Sequence, residues 1–180
     1  GLGDVYKRQK LTRLIDLASL FNLPIVHLED CPGFVIGKQS EHDATVRAGS
    51  TVLVALQRAR VPYCTVVIRK AFGIAGASNR QPGTNSMRMA WPSGDWGSLP
   101  LEGGLEVAYK ADLAESDDPD ALRQEITERL NRYRSPHRSA EFYEIEQVID
   151  PLDTRPMLCD WVRLVRRSLR PTPPSWGYRP

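Results

Sequence analysis

The sequence predicts an α/β fold: one domain built on a parallel β-sheet whose strands are joined through helices. Three observations carry this. From Leu11 to Ile68, amphipathic helical segments alternate with short, continuously apolar runs bounded by turn residues. Those runs lack the in–out alternation of a sheet wetted on one face, which is the pattern of strands buried on both faces. Two such strands with a helix between them pair in parallel through a right-handed crossover. A length of 180 residues fits one domain with a substantial core.

The elements follow in order. Residues 1–9 (Gly1 to Gln9) have no clear period and join abruptly to a periodic segment. They resemble a translated sequencing-adaptor remnant and are set apart from the fold, the domain then covering 10–170 and a proline-rich tail 171–180. On this reading the natural protein continues on its N-terminal side. Leu11, Leu14, Ile15, Ala18 and Phe21 form the stripe of an amphipathic helix, with Asn22 as its stop. Pro24 opens a buried strand, Ile25-Val26-His27-Leu28, bounded by Glu29-Asp30. A turn-rich loop from Cys31 to Lys38 leads to a second helix spanning roughly 41–60, with Ala48, Val52, Ala55, Leu56 and Ala59 on one face. Pro62 opens a β-branched strand, Tyr63 to Ile68.

Met87 to Trp91 reads as a third short strand ended by Pro92-Ser93-Gly94, and a helix is expected over roughly 101–110. The acidic stretch Asp112 to Asp120 reads as a solvated loop. Asp118-Pro119 is an N-cap and first-turn pair for a helix carrying Leu122, Ile126 and Leu130, with Glu125 and Arg129 spaced to pair. Thr154 is expected to cap a last helix presenting Leu158, Trp161, Val162, Val165 and Leu169.

Composition narrows function by exclusion. Lys+Arg 24 against Asp+Glu 22 leaves a net charge of +2, which gives no electrostatic case for nucleic acid. No apolar run approaches the ~20 residues of a membrane span, and no signal peptide opens the chain. Cys31, Cys64 and Cys159 lie far apart with no CxxC pair, which argues against a disulfide framework and against a metal site, and for a reducing cytoplasm. There is no GxSxG elbow, HExxH, Walker loop or dinucleotide fingerprint. His27 lies in a strand and reads as a hydrogen-bonded core residue; His42 begins a helix, and His137 sits in an Arg-rich loop. Catalysis here is not built from a side-chain nucleophile.

The informative segment is Arg69-Lys-Ala-Phe-Gly-Ile-Ala-Gly-Ala-Ser78, which follows a strand and is small at 71, 73, 75, 76 and 77. A strand entering a helix through small residues points backbone N–H groups into a cleft, where they can stabilise an oxyanion. Small side chains let a ligand carbonyl approach the backbone within ~3 Å. The same composition fits a plain helix start packed closely on the sheet, and the residues alone leave both open. This loop and 30–38 follow the two strands at their carboxyl ends, where ligands bind in sheets of this kind.

Three segments together resemble signatures of the biotin-dependent acyl-CoA carboxylases: Glu29-Asp-Cys-Pro-Gly-Phe34, Arg69-Lys-Ala-Phe-Gly73 and Ile149-Asp-Pro-Leu-Asp-Thr-Arg155. Gly37, Glu41, Arg47 and Gly49 match the helix after the first, and Ala90-Trp-Pro92 matches the family's strand-ending Trp-Pro. Over 11–169 the chain is similar to the C-terminal domain of the carboxyltransferase (β) subunit, of the acetyl-, propionyl- or methylcrotonyl-CoA carboxylase type. The resemblance implies a crotonase-like (ClpP/crotonase superfamily) fold of ββα superhelical turns, two such domains making a full subunit. It implies transfer of a carboxyl group from carboxybiotin, borne on a carrier protein, to the α-carbon of an acyl-CoA, as in fatty acid metabolism. The backbone N–H groups of Ile74 and Ala75 would form the oxyanion hole for the biotin ureido carbonyl, with Gly73 and Gly76 shaping the loop. Asp30, Pro32, Gly33 and Phe34 would line the same cleft, and Ala77 would stand at the acyl pocket.

Implied partners are a biotin carboxyl carrier protein, a biotin carboxylase subunit and further copies of the full-length subunit in a ring-like homo-oligomer. The bacterial cytoplasm is the implied location, and the chain alone is expected to be inert. Departures from the family pattern are Gly-Ile-Ala-Gly at 73–76, which requires Ile74 to point into the core, Pro100 where glycine is common, and the polar run Ser78 to Ser86. Within the fold the alternative is a biotin-independent hydratase, isomerase or hydrolase using Glu102 as acid or base. A non-catalytic assembly subunit is the other. Arg163, Arg166, Arg167 and Arg170 read as a solvated helix face rather than a seat for CoA phosphates.

Overall fold

Five strands, all parallel, form one sheet in a computed structural model that describes residues 5–35, 37–77, 86–98 and 101–170; the side chains of Val5, Ala77 and Glu102 lie outside that description. Strand β1 (Ile25–Cys31) pairs with β2 (Tyr63–Phe72), the central strand. On the other edge of β2 lie β3 (Met87–Ala90), opposite 64–67, and then β4 (Asp95–Gly97), opposite 70–72. Strand β5 (Gln147–Val148) adds to β3.

The central strand β2 is covered on both faces over 63–67, as its uninterrupted apolar run requires. Strand β1 is an edge strand whose Val26 and Leu28 are exposed, so the expected fully buried strand at 25–28 is buried on one face only. On one face α1 (Val5–Leu20) and α3 (Thr45–Arg58) bury Ile15, Ala18, Val52, Ala55 and Leu56 against Ile25 and Tyr63. On the other, α9 (Thr154–Val165) packs Trp161 and Val165 onto Cys64, Val66 and Met89. A satellite cluster of Leu105, Leu113 and Ile126 joins α5 (Leu101–Ala108), α6 (Lys110–Glu115) and α7 (Pro119–Asn131).

Several boundaries differ from the sequence expectation for physical reasons. Helix α1 begins at Val5 and so runs through residues set apart above. Lys7, Arg8 and Gln9 are good helix formers, and Arg8 is buried with its guanidinium carbon 3.9 Å from the centre of the Phe34 ring. Only the Ile15–Ala18 side of the expected stripe is buried; Leu14 and Phe21 face outward. Asn22 does stop the helix. It has φ +54°, its N–H reaches Ser19 O at 3.3 Å, and Leu23 N–H reaches Ala18 O at 2.8 Å, a Schellman closure.

The expected 41–60 helix is two helices, α2 (Lys38–His42) and α3, broken by left-handed Ala44 at φ +51°. The acidic stretch is not all loop: α6 runs to Glu115 and buries Leu113 beside Ile126. Asp118 caps α7 as expected, its carboxylate accepting from Ala121 N–H at 3.0 Å. His137 sits in a short helix, α8 (Pro136–Glu141), rather than a loop. Thr154 is the first residue of α9, with Asp153 in the cap position, and its hydroxyl accepts from the Trp91 indole at 2.8 Å. The helix ends at Val165, short of Leu169, and Arg163, Arg166, Arg167 and Arg170 are all exposed. Pro100, the tail 171–180 and residues 78–85 of the polar run lie outside the described residues.

Cys31 and Cys64 are buried and Cys159 is exposed. Burial pushes the Cys64 thiol up to about 12, so it stays protonated. In the folded chain at pH 8, iodoacetamide is expected to label Cys159 alone, with the other two becoming reactive only in denaturant. Mass-spectrometric mapping of the labelled sites checks this.

Candidate functional site

Because β1 and β2 run parallel, their C-terminal loops emerge at the same end of the sheet. Strand β2 continues past the expected Ile68 through Arg69 and Lys70 to Phe72. Asp30 explains the extension. Its Oδ2 accepts from Arg69 Nη2 at 2.8 Å, and its Oδ1 accepts from the Lys70 backbone N–H at 3.2 Å. The hydrogen bond from Arg69 is the main reason the Asp30 carboxyl sits below its ordinary value.

After Phe72 the chain turns sharply into α4 (Gly73–Ala77). Gly73 has φ +60°, a left-handed conformation that side chains rarely adopt, and an added Cβ would also sit 3.5 Å from Ser98 O. At Gly76 the reason for glycine is contact: a Cβ would lie 2.3 Å from the Ala71 carbonyl carbon, where no atom fits. Between them Ala75 is buried, while Ile74 is 66% exposed. The expectation that Ile74 points into the core is therefore wrong. Helical rotation turns 75 and 76 toward β2 and leaves 74 facing out.

The other loop meets this one. Gly33 has φ +111°, and a Cβ there would lie 3.7 Å from Phe72 O, so the Pro32-Gly33 turn rests against the end of β2. Phe34 leaves the turn in the other direction. Its ring is pressed on Gly49 of α3, where a Cβ would meet Phe34 Cζ at 2.7 Å, and Arg8 covers it. Phe34 thus anchors the loop rather than lining a cleft wall with its ring. Ala77 is the last residue of α4, and its side chain, like that of Glu102, lies outside the described residues.

His27 is largely enclosed, and burial, helped by the Arg88 charge, lowers it to about 4, leaving a neutral imidazole at pH 7. His42 and His137 are exposed. Among the described residues no group of His, Cys, Asp and Glu could hold a metal, and no helix is long and apolar enough to cross a membrane. Arg88 is a site residue that the sequence did not point to. Its guanidinium reaches the Gly76 carbonyl at 3.3 Å, a contact that depends on the β2–β3 register.

Residues 4–175 match the carboxyl transferase domain family. The chain belongs to that family. A carboxyl transferase relative, the 12S subunit of methylmalonyl-CoA carboxyltransferase from Propionibacterium freudenreichii subsp. shermanii, is 35% identical over 176 residues, covering 95% of this chain and 33% of that protein. The propionyl-CoA carboxylase carboxyltransferase subunit of Haloferax mediterranei is 32% identical, with 96% of this chain and 34% of that one covered. Transcarboxylase 12S, solved as a hexamer assembly with methylmalonyl-CoA and methylmalonic acid bound, superposes with a TM-score of 0.79 at 32% identity, over 98% of this chain and 34% of that one. The β subunit of Pseudomonas aeruginosa geranyl-CoA carboxylase shares the fold, with a TM-score of 0.81 at 21% identity over 96% of this chain and 34% of that one. The fold is thus the crotonase-like one that the motifs implied. The chain spans about a third of the length of these carboxyl transferase relatives.

Two outcomes test this geometry. Gly76→Ala is expected to cost ~3 kcal/mol or more in stability, since the methyl must displace backbone; denaturant melts measure it. The Asp30 carboxyl is lowered in the folded chain. Its contribution is therefore present above the unfolded value of ~3.9 and lost as the pH falls through the folded one. The stability advantage of wild type over Asp30→Asn should shrink between pH 7 and pH 3.

Proposed function

We propose that this chain is the biotin-side half of a carboxyltransferase that moves a carboxyl group from carboxybiotin to the α-carbon of an acyl-CoA. The observation that carries the reading is the meeting of the two glycine turns, 32–33 and 73–76, at one end of the parallel sheet in a chain of this family. Carboxybiotin supplies the activated carboxyl group when its carrier delivers it. This chain's part is to bind and orient. The N–H groups of Ile74 and Ala75, in the first turn of α4, donate to the ureido carbonyl oxygen as negative charge develops there. Gly73 and Gly76 set the direction of those N–H groups.

The residues present suit such a guest. The donors are backbone amides, so no side chain must ionise, and exposed Ile74 offers an apolar wall beside them for a bicyclic ring. Asp30, Pro32 and Gly33 form the opposing turn, held by the Asp30–Arg69 pair, with Phe34 as its anchor. Ala77 marks the acyl side. Holding the two substrates in register supplies much of the acceleration in a reaction of this kind.

The remaining parts of the reading extend beyond this chain. A biotin carboxyl carrier protein, a biotin carboxylase subunit and other copies of the complete subunit are its partners, in the bacterial cytoplasm. The domain extends N-terminally beyond the expected 10–170, since Arg8 of α1 is buried and covers Phe34.

Ala75 is buried, so enlarging it would test packing as much as chemistry. Ile74→Pro is the cleaner test, because proline deletes the N–H at an exposed position early in a helix, where its ring is tolerated. In the complete subunit this variant is expected to lose about 100- to 1,000-fold in kcat for biotin-dependent carboxyl transfer. Its melting temperature should change little. Full activity in Ile74→Pro would contradict the assignment.

A further inference from the structure

The sheet buries an ion pair that the proposed chemistry does not use. Glu29 on β1 is fully buried, and its Oε2 accepts from Nη2 of Arg88 on β3 at 3.2 Å. The register aligns His27, Thr65 and Arg88 in one row across three strands, with Glu29 two residues along on the same face. Removing two charges from water is costly, and a buried pair is often no more stable than well-packed apolar residues of the same volume. Its place therefore calls for an account other than stability.

The second contact of Arg88 supplies one. The same Nη2 donates to the Gly76 carbonyl oxygen at 3.3 Å. Gly76 directly follows Ala75 in the single turn of α4 and is already pressed on Ala71. Arg88 thus spans from the floor of the sheet to the turn that carries the substrate-facing amides. His27, in the same row, is neutral at pH 7 and adds no charge to the pair.

We propose that Arg88, held in place by Glu29, is a positioning residue that fixes the 73–77 turn through the Gly76 carbonyl. The tether keeps the Ile74 and Ala75 N–H groups aimed at the ligand. Its kinetic consequence rests on the carboxyl-transfer reading; its structural consequence does not.

The test uses the complete subunit carrying this chain, as wild type, Arg88→Met, and Glu29→Gln with Arg88→Met. Arg88→Met removes the buried arginine contact of Glu29 and lowers the melting temperature or prevents folding. The double variant removes both charges and restores folding, yet still lacks the bond to Gly76. Two readouts are taken on it: hydrogen–deuterium exchange over 73–77, and kcat and KM for biotin-dependent transfer. Expected are about tenfold faster exchange at those amides, a kcat lower by about tenfold or more, and an unchanged KM for acyl-CoA. Unchanged exchange at 73–77 overturns the tether, whatever the kinetics. Faster exchange with wild-type kcat overturns its role in the reaction. Wild type without biotin-dependent transfer overturns the carboxyltransferase reading instead, and the exchange result still decides the tether.

Discussion

At the end of β2 the chain reverses in a space that admits no side chain. Gly76 approaches Ala71 so closely that a Cβ would sit 2.3 Å from its carbonyl carbon. That closure folds α4 back on the strand it has just left. It puts Ala75 inside, turns Ile74 out, and requires the left-handed φ of +60° at Gly73 to start the turn. The Pro32-Gly33 turn rests beside the Phe72 carbonyl, 3.7 Å from where a Cβ at Gly33 would stand. The proposed site is a consequence of that backbone contact, and its donors are main-chain groups.

Two ion pairs flank the turn and differ in kind. Asp30–Arg69 is exposed on the arginine side, so solvent screens it, and its effect is to carry β2 on to Phe72 beside β1. Glu29–Arg88 is enclosed, where leaving either partner alone is costly. Neighbouring carboxylates on one strand thus work in opposite settings. One fixes the length of the strand before the turn, and the other reaches the turn itself. Between Glu29 and Cys31 the register shifts, so that residues 68–70 of β2 stand opposite Asp30 alone.

The parts of the fold legible in the sequence are those fixed by local chemistry. Apolar, β-branched runs marked β1 and β2, Asn22 supplied the left-handed stop, and Asp118-Pro119 gave a cap and first turn. The run of small residues marked the turn after β2. Less legible were elements defined by tertiary pairing. Strands β4 and β5, of three and two residues, are too short to show a period. Helix α6 lies under an acidic surface that reads as loop until Leu113 is seen packed near Ile126. The direction of Ile74 follows from the rotation of one helical turn, and the reach of Arg88 from the pairing of β3, neither of which a linear pattern encodes. The Trp91–Thr154 bond likewise joins two recognised motifs across 63 residues.

The most direct measurement is a structure of the complete subunit with biotin bound. The account predicts the ureido oxygen within hydrogen-bond distance of both the Ile74 and Ala75 backbone nitrogens, with the ring beside the Ile74 side chain. Biotin seated elsewhere, or with its ureido oxygen on side-chain donors alone, would contradict it.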